Sequence, residues 1–314
     1  MAYSLKQIND AVRSDPGGFA QECDAAYNRK IEAAARKILE NMANSHIVLL
    51  SGPSGSGKTT TAKKIQAKLD ELGVRSHAVA MDNYFLTVDP ETAPRNRHGE
   101  IDYESPFCLD MDLLNKHFRL LDKGETIFIP KFEFARQMRS AIRSDPLRLG
   151  RDEIAIFEGI HALNDIITGK NPAAAKVYIS ARSNVLDEDR KIVFKNTWMR
   201  LARRTIRDAK FRALEPDVTV KLWANVRRGE KLYISPFKDN ASIVFDSSLP
   251  CEVSVLRAFA QPAFDHLHLS KNYERYEEVR HLSEAYPKFE ALEEKYVAKD
   301  SLLREFIGGG IYDD

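Results

Sequence analysis

The stretch LLSGPSGSGKTTTAKK, residues 49–64, constrains this chain more than any other. Gly52 to Thr59 fit G-x-x-x-x-G-K-[ST], in which glycines let successive backbone N–H groups close around an anion and a lysine balances its charge. An apolar run, residues 46–51, precedes the loop, and a helical pattern over 58–72 follows it. In that setting a glycine-rich loop cradles the phosphates of a nucleotide, because the helix N-terminus adds its own free N–H groups and the positive end of its dipole. The loop alone does not say where the phosphate goes: phosphotransferases, switches and hydrolytic motors all use it.

The rest of the chain is organised around this unit. Short apolar runs alternate with helical patterns: strand 46–51, helix 58–72, strand 76–81, helix 110–122, strand 153–157, strand 176–180 and a long helix over 188–213. Such alternation predicts an α/β fold with a mainly parallel sheet and helices on both faces. The 314 residues, with 43% hydrophobic content, suffice for one such domain with a sizeable core plus extensions. We divide the chain into an N-terminal helical extension (1–44), a main domain (45–261) and a C-terminal helical extension (262–314) packed on it. Phe19, Cys23, Tyr27, Ile31, Ile38 and Met42 recur at helical spacing within 18–43 and predict an amphipathic helix. Residues 82–108, with Pro90, Pro94, Gly99, Pro106 and no periodicity, form a loop long enough to serve as a lid or binding loop. Residues 125–152 read as a β-rich flap, and the chain after 262 reads as helical until Gly308 to Gly310 stop its last helix.

Composition narrows the function classes. Lys+Arg 47 against Asp+Glu 46 leaves a formal charge of +1, so no global field recruits nucleic acid or an anionic membrane. Cys23, Cys108 and Cys251 stand far apart without C-x-x-C spacing, which argues against a disulfide framework or a zinc site and fits a reducing compartment. The first eighteen residues carry no signal-type apolar core, and no apolar run approaches the ~20 residues of a membrane span, so the expected location is cytoplasmic.

Three predicted strands end in chemically loaded residues: 46–51 at the loop, 76–81 at MDNYF and 153–157 at FEG. In a parallel sheet these ends share the carboxyl edge, where open α/β sheets bind ligands, so Lys58, Thr59, Asp82 and Glu158 are expected to converge. Lys58 would balance charge on the β- and γ-phosphates, Thr59 would ligate Mg²⁺, and Glu158 would hold the metal directly or through water. Asp82 would accept the proton of an attacking hydroxyl or orient it, the alternative being a cap at the start of the 82–108 loop. In the predicted helix around TWMRLARRTIRDAKFR, Phe194, Trp198, Leu201 and Thr205 form an apolar stripe and Arg200, Arg203, Arg204 and Arg207 another face. Four guanidinium groups on one side repel one another, and a phosphoryl group would relieve that repulsion. Carboxylate pairing on a solvated face and a nucleic-acid stripe are the competing readings, the latter lacking interleaved aromatics. His161 is read as structural, while Tyr84, Phe85, Tyr103, Phe132 and Phe134 are candidates to stack on a base or sugar ring.

Taken together, GPSGSGKTT, MDNYF, DYESPFCLD, IPKFEFARQMR, FEGIHAL and RLARRTIRD resemble, in order and spacing, the phosphoribulokinase and uridine kinase family of P-loop kinases over residues 45–260. The chain is similar to the family's bacterial uridine kinase-like members in Trp223, Val226, Gly229, Glu230, Tyr233, Ile234, Pro236 and Phe237, and in its LLREFIGG ending. The resemblance implies a P-loop NTPase fold of the nucleoside/nucleotide kinase type, a three-layer α/β/α arrangement, and ATP-dependent phosphorylation of a hydroxyl. It puts Asp82 at the family's catalytic aspartate, leads the Arg200–Arg207 helix into a mobile lid, and sets Glu104 where an aspartate holds ribose hydroxyls. In the flap, where uridine kinases set a tyrosine and a histidine against the pyrimidine, this chain has Phe132 and Gln137, and only Arg139 matches. Losing a phenol and an imidazole changes which acceptor fits.

The reading is an ATP- and Mg²⁺-dependent small-molecule kinase with a uridine- or cytidine-like acceptor and no nucleic-acid or membrane partner, homo-oligomer formation being left open. Gly52, Ser54, Gly55, Ser56, Gly57, Lys58, Thr59 and Thr60, with Arg203 and Arg207, are expected to hold the nucleotide, and Thr59 and Glu158 the metal. Lys58, Asp82, Arg200 and Arg204 are expected to serve catalysis, and Asp82, Tyr84, Glu104, Phe132, Gln137 and Arg139 to contact the acceptor. Rival readings are a kinase of a sugar phosphate or pantothenate, a polynucleotide-end kinase, and a nucleotide-dependent switch, for which no N-K-x-D guanine-reading motif is found. Asp82→Asn is expected to keep ATP binding and lose most turnover, whereas Lys58→Ala weakens nucleotide binding itself. Equilibrium binding measured beside steady-state turnover separates the two, and unchanged turnover in Asp82→Asn removes Asp82 from its role.

Overall fold

The computed structural model describes residues 2–133, 136–141, 146–270 and 276–312. A short strand, β1 (Ala2–Ser4), leads into helix α1 (Leu5–Ser14), whose first turn Ser4 caps by accepting from the Gln7 N–H. Helix α2 (Pro16–Asn41) follows, with Asp15 accepting from the Gly18 N–H and a proline in its first turn. Next come β2 (Ile47–Ser51), α3 (Lys58–Glu71), β3 (Arg75–Ala80) and α4 (Met111–Asp122). The flap strands are β4 (Ile127–Phe128), β5 (Phe132–Glu133), β6 (Met138–Arg139) and β7 (Pro146–Leu147). They are followed by β8 (Glu153–Glu158), α5 (Asp165–Thr168), β9 (Ala175–Ser180), β10 (Asn184–Leu186) and β11 (Ile192–Phe194). The chain closes with α6 (Asn196–Phe211), α7 (Pro216–Gly229), β12 (Ile243–Asp246), α8 (Glu252–Ser270), α9 (Tyr276–Ala285) and α10 (Arg304–Ile307).

The central sheet runs β12-β9-β2-β8-β3, and every pairing in it is parallel. Its inner strands bury both faces, which is why they read as continuous apolar runs. Val48 and Leu50 of β2 enter one core together with Ile154 and Ile156 of β8 and the buried sides of α2, α3, α6 and α8. Ile47 and Leu49 enter the other with Ala155, Phe157 and α4's Leu114, Phe118 and Leu121. Period-two alternation therefore sorts neighbouring residues into two cores, and three layers result. The flap is a pair of nested antiparallel ladders, β4 with β7 and β5 with β6. Phe134 and part of the flap's arginine-rich turn lie outside the described residues.

Two expectations are corrected. The predicted helix over 188–213 begins only at Asn196: residues 184–194 form the antiparallel hairpin β10–β11, turning through Asp187 to Lys191 with Arg190 at φ +61°. Its signal was a turn, Asp-Glu-Asp-Arg, between two apolar runs, VL and IVF. Phe194 thus stands on a strand rather than on the helical stripe, although it remains buried beside Trp198 at 5.8 Å between ring centroids. The boundary at 262 also falls inside α8, which continues through Pro262, and residues 286–303 hold only two single 3-10 turns, Tyr286–Lys288 and Glu294–Tyr296, in otherwise irregular backbone rather than α-helix. Both ends of the chain share the larger core, in which Ile8, Val12, Phe306 and Ile307 are all buried.

Ile38 on α2 is 1% exposed, so Ile38→Ala is expected to cost about 2–5 kcal/mol of unfolding free energy, while its exposed neighbour Lys37→Ala stays within ~0.5 kcal/mol. Urea unfolding of the two variants checks the difference.

Candidate active site

Strand register builds the site. Leu50 of β2 and Ala80 of β3 both pair with Glu158 of β8, so Glu158 stands between the two neighbouring strand ends. Beyond Leu50 the chain enters the glycine-rich loop, and beyond Ala80 a 3-10 turn, Met81–Tyr84, carries Asp82. The four expected residues, Lys58, Thr59, Asp82 and Glu158, are thereby brought to one edge, with Lys58 Nζ 3.8 Å from Glu158 Oε1.

The loop's shape is imposed from behind. The Ser54 carbonyl accepts from Arg200 Nε at 3.0 Å, the Gly55 carbonyl from Arg203 Nη1 at 3.2 Å, and the Ser56 carbonyl from Ser247 Oγ at 2.6 Å. In a trans peptide the C=O and the following N–H point in opposite directions, so the outward carbonyls of Ser54 and Ser56 turn the N–H groups of Gly55 and Gly57 inward, while the Ser56 N–H closes the turn on the Pro53 carbonyl at 3.1 Å. Gly55 sits at φ +71°, and a Cβ there would come within 2.6 Å of the Arg200 carbonyl, so this position demands glycine.

These contacts correct the expected roles of two arginines. Arg203 is fully buried, its guanidinium bound in two places by Glu252 and once more by the Ser247 carbonyl at 2.9 Å. Arg200 is also buried and holds Glu230 in a bidentate pair at 2.8 and 3.0 Å. Burial alone would raise the Glu230 carboxyl, yet Arg200 and Arg227 hold it below its ordinary value. The helix's positive face is therefore neutralised by carboxylates, as the bland reading allowed. Arg204 and Arg207 remain partly open: Arg204 donates to Ser54 Oγ at 2.9 Å and to Asp208 at 3.1 Å, and Arg207 pairs with the same buried Asp208.

Electrostatics distinguish the two carboxylates at the edge. Burial pushes Glu158 up to about 6 despite Lys58, and the negative Asp82 and Glu305 add to that rise. Asp82 opens to the solvent of the cleft, but the surrounding walls still raise its pKa, and Lys58 and Arg212 pull it back.

On the acceptor side, Glu104 packs over Gly229, where a Cβ would meet the Glu104 Cβ at 2.5 Å. Burial raises Glu104 to about 7, countered by the charge of Arg204. Neighbouring Asp102 is buried and ionised, accepting from Arg228 at 2.6 Å and from the Tyr233 hydroxyl at 3.0 Å, which ties the 82–108 loop to the end of α7 and the turn after it. A cavity of about 310 Å³ lies between loop and flap, lined by Phe85, Ile101, Tyr103, Phe107, Phe132 and Gln137 among others. Phe132 and Gln137 line this cavity.

Tyr84 and Arg139 do not. Tyr84 is fully buried, with its hydroxyl 2.8 Å from His117 Nδ1, so its ring belongs to the second core. Arg139 spends both terminal nitrogens inside the protein, on Asp110 at 2.9 Å and the Tyr84 carbonyl at 3.2 Å, and so ties flap to loop. His161 is buried, which pushes it down to about 4, in line with a structural residue.

Residues overlooked in the sequence are the carboxylates Glu252, Asp208 and Glu305 and the hydroxyl of Ser247, and Glu230, singled out only for its likeness to the family, proves to be the partner of Arg200. The excess of arginine on one helix in a near-neutral chain was a signal that buried carboxylates exist somewhere, but spacing along the chain does not say which.

The model of the phosphoribulokinase/uridine kinase family matches residues 47–254, and the chain belongs to that family. It is 28% identical to a uridine kinase of Staphylococcus haemolyticus over 65% of this chain and 88% of that protein. To a uridine kinase of Staphylococcus aureus it is 29% identical over 63% of this chain and 86% of that protein. A solved structure described as a fructose transport system kinase from Silicibacter sp. TM1040 covers 68% of this chain and 98% of its own at 20% identity and TM-score 0.49. The chain is thus a kinase of a small-molecule phosphotransferase family.

Arg203→Met leaves Glu252 buried without a partner and is expected to destabilise the protein by about 3–5 kcal/mol, whereas Arg203→Met with Glu252→Leu recovers much of that loss. A double-mutant cycle by chemical denaturation measures it, and additive losses would show that the two residues are not coupled.

Proposed function

We propose that this family member transfers the γ-phosphoryl group of ATP, with Mg²⁺, to a hydroxyl of a nucleoside-like acceptor. The observation that carries this reading is the meeting of the loop, Lys58, Glu158 and Asp82 at one sheet edge, with Glu104 near enough for the charges of Arg204 and Lys58 to act on it. The residues present suit both absent groups. The glycine-rich turn at the N-terminus of α3, with Lys58 beside it, suits a chain of phosphate oxygens. The Thr59 hydroxyl and the Glu158 and Asp82 carboxylates are hard oxygen donors of the kind Mg²⁺ takes. Among the described residues no group of three or more His, Cys, Asp or Glu side chains converges to hold a metal, which suits an ion that keeps waters and phosphate oxygens among its ligands.

Mg²⁺, held by Thr59 and Glu158, would supply charge neutralisation on the phosphate oxygens. The chain does the rest. Lys58, held loosely near Glu158, is positioned to meet developing negative charge. Asp82 accepts the proton of the attacking hydroxyl at a carboxylate oxygen, and the cleft walls that raise its pKa make it a better base than a surface aspartate. Glu104 accepts hydrogen bonds from acceptor hydroxyls, orienting one of them toward the phosphoryl group. Arg204 and Arg207, partly open on α6, lie on the helix that borders the loop and add positive charge there.

The cavity favours an acceptor that differs from uridine. Phe132 and Gln137 stand there at the positions where the resemblance sets a tyrosine and a histidine, beside the apolar Phe85 and Phe107 and the phenol of Tyr103, so a pyrimidine would meet a changed set of polar groups. A sugar-containing or polyol acceptor with an apolar or aromatic portion fits better.

ADP release from ATP and Mg²⁺ with uridine, cytidine, other nucleosides, ribulose 5-phosphate, pantothenate and simple polyols tests the reading. An acceptor-stimulated rate is expected, and basal hydrolysis that no acceptor raises sinks it. Because Glu104 works as an ionised acceptor and its pKa is pushed to about 7, kcat/KM for the acceptor is expected to rise with pH through that value. Glu104→Gln should remove that limb of the profile and raise KM, leaving the ionisations of Asp82 and Glu158 in place.

A further inference from the structure

The C-terminal segment returns to the phosphate loop and places an acid on it. The Glu305 carboxylate accepts from the backbone N–H of Thr60 at 3.1 Å. Thr60 is in the first turn of α3, whose N–H groups have no partner within the helix, and it belongs to the loop that the proposed function assigns to nucleotide phosphates. A negative side chain at that point satisfies an orphan donor and meets the positive end of the helix dipole, as an incoming phosphate would.

The neighbouring contacts show that this is a seated segment rather than one side chain. A Cβ on Gly57 would lie within 2.5 Å of Leu302 Cδ1, so Leu302 covers the loop's last glycine. The ring of Phe306 lies 5.1 Å from the Arg203 guanidinium, which holds the Gly55 carbonyl. Lys64 donates to the backbone and side chain of Asp300 at 2.6 and 2.7 Å, Lys63 to the Tyr312 carbonyl at 2.7 Å, and Lys210 to the Ile307 carbonyl. Three lysines from α3 and α6 thus grip the segment on both sides of Glu305. Glu305 also adds a third negative charge to a site that already holds Glu158 and Asp82 around Lys58.

We propose that Glu305 is an internal competitor for the phosphate cradle, so that the nucleotide binds by displacing it from Thr60, and residues 300–308 act as a strap gating the donor half of the site. This rests on the reading of the loop as a nucleotide site. Two phosphate oxygens and a carboxylate cannot share one N–H, and like charge favours exchange over coexistence. The lysine contacts hold the strap near the loop after Glu305 is released, so the displacement is local.

Calorimetric titration of ATP with Mg²⁺ into the full-length protein, Glu305→Gln and Glu305→Ala is the test, with hydrogen exchange of residues 300–308 followed in the unaltered protein. Removing the competing charge is expected to tighten ATP binding roughly two- to tenfold, the scale of one charge at a helix N-terminus. ATP should also speed exchange of the strap's amides. Unchanged or weaker ATP binding in a folded Glu305→Gln overturns the proposal, as does slower exchange of the strap on ATP addition. If the unaltered protein binds ATP but Glu305→Gln gains nothing, the gate alone falls; if neither binds any nucleotide, the functional reading falls with it.

Discussion

The ion pair between Arg203 and Glu252 is what the rest of the site depends on. Both side chains are fully buried, and the guanidinium that Glu252 holds also binds the carbonyls of Gly55 and Ser247. Ser247 in turn holds the carbonyl of Ser56. One buried charge pair therefore orients two of the three loop carbonyls that face away from the cleft, and through the Ser56 carbonyl peptide planarity turns the Gly57 N–H toward it. A buried pair of this kind is weak evidence for stability, since desolvation offsets most of its attraction. Its value here is preorganisation: the cradle is shaped before any anion arrives, so binding need not supply the ordering.

The same logic runs through the loop and flap around Glu104. Asp102 is held by Arg228 and Tyr233, Arg139 ties the flap to Asp110 and the Tyr84 carbonyl, and Gly229 leaves room for Glu104. Residues matching the family's motifs thus divide into those that face the cleft and those that hold the facing ones in place. Sequence similarity marks both kinds alike, because losing either disturbs the same geometry. Only burial and hydrogen-bond partners tell Tyr84, packed against His117, from Phe132, which lines the cavity.

Much of the fold was legible because its signals are local. The strand–loop–helix around Gly52 to Thr59, the apolar runs of β8 and β9, and the helical spacing of α2 each come from contiguous residues obeying one period. The β10–β11 hairpin was read as helix because an acidic turn between short apolar runs also suits a charged helix start, and tertiary pairing with β1 and the core decided between them. The arginines of α6 illustrate the harder limit. Their shared face followed from spacing, but their partners stand 30 and 49 residues away from Arg200 and Arg203, beyond any local pattern.

Sequence by itself determined that this chain builds a parallel sheet with a glycine-rich loop at its edge, since hydrophobic period and glycine placement act within a few residues of one another. It also determined the family, through motifs whose order and spacing are properties of the chain. Tertiary structure alone decided which charges face the cleft and which are neutralised behind it, and that a carboxylate from the C-terminal segment rests on Thr60. The physical reason is that an electrostatic role depends on partner distance and burial, and both are set only when segments hundreds of residues apart pack against one sheet.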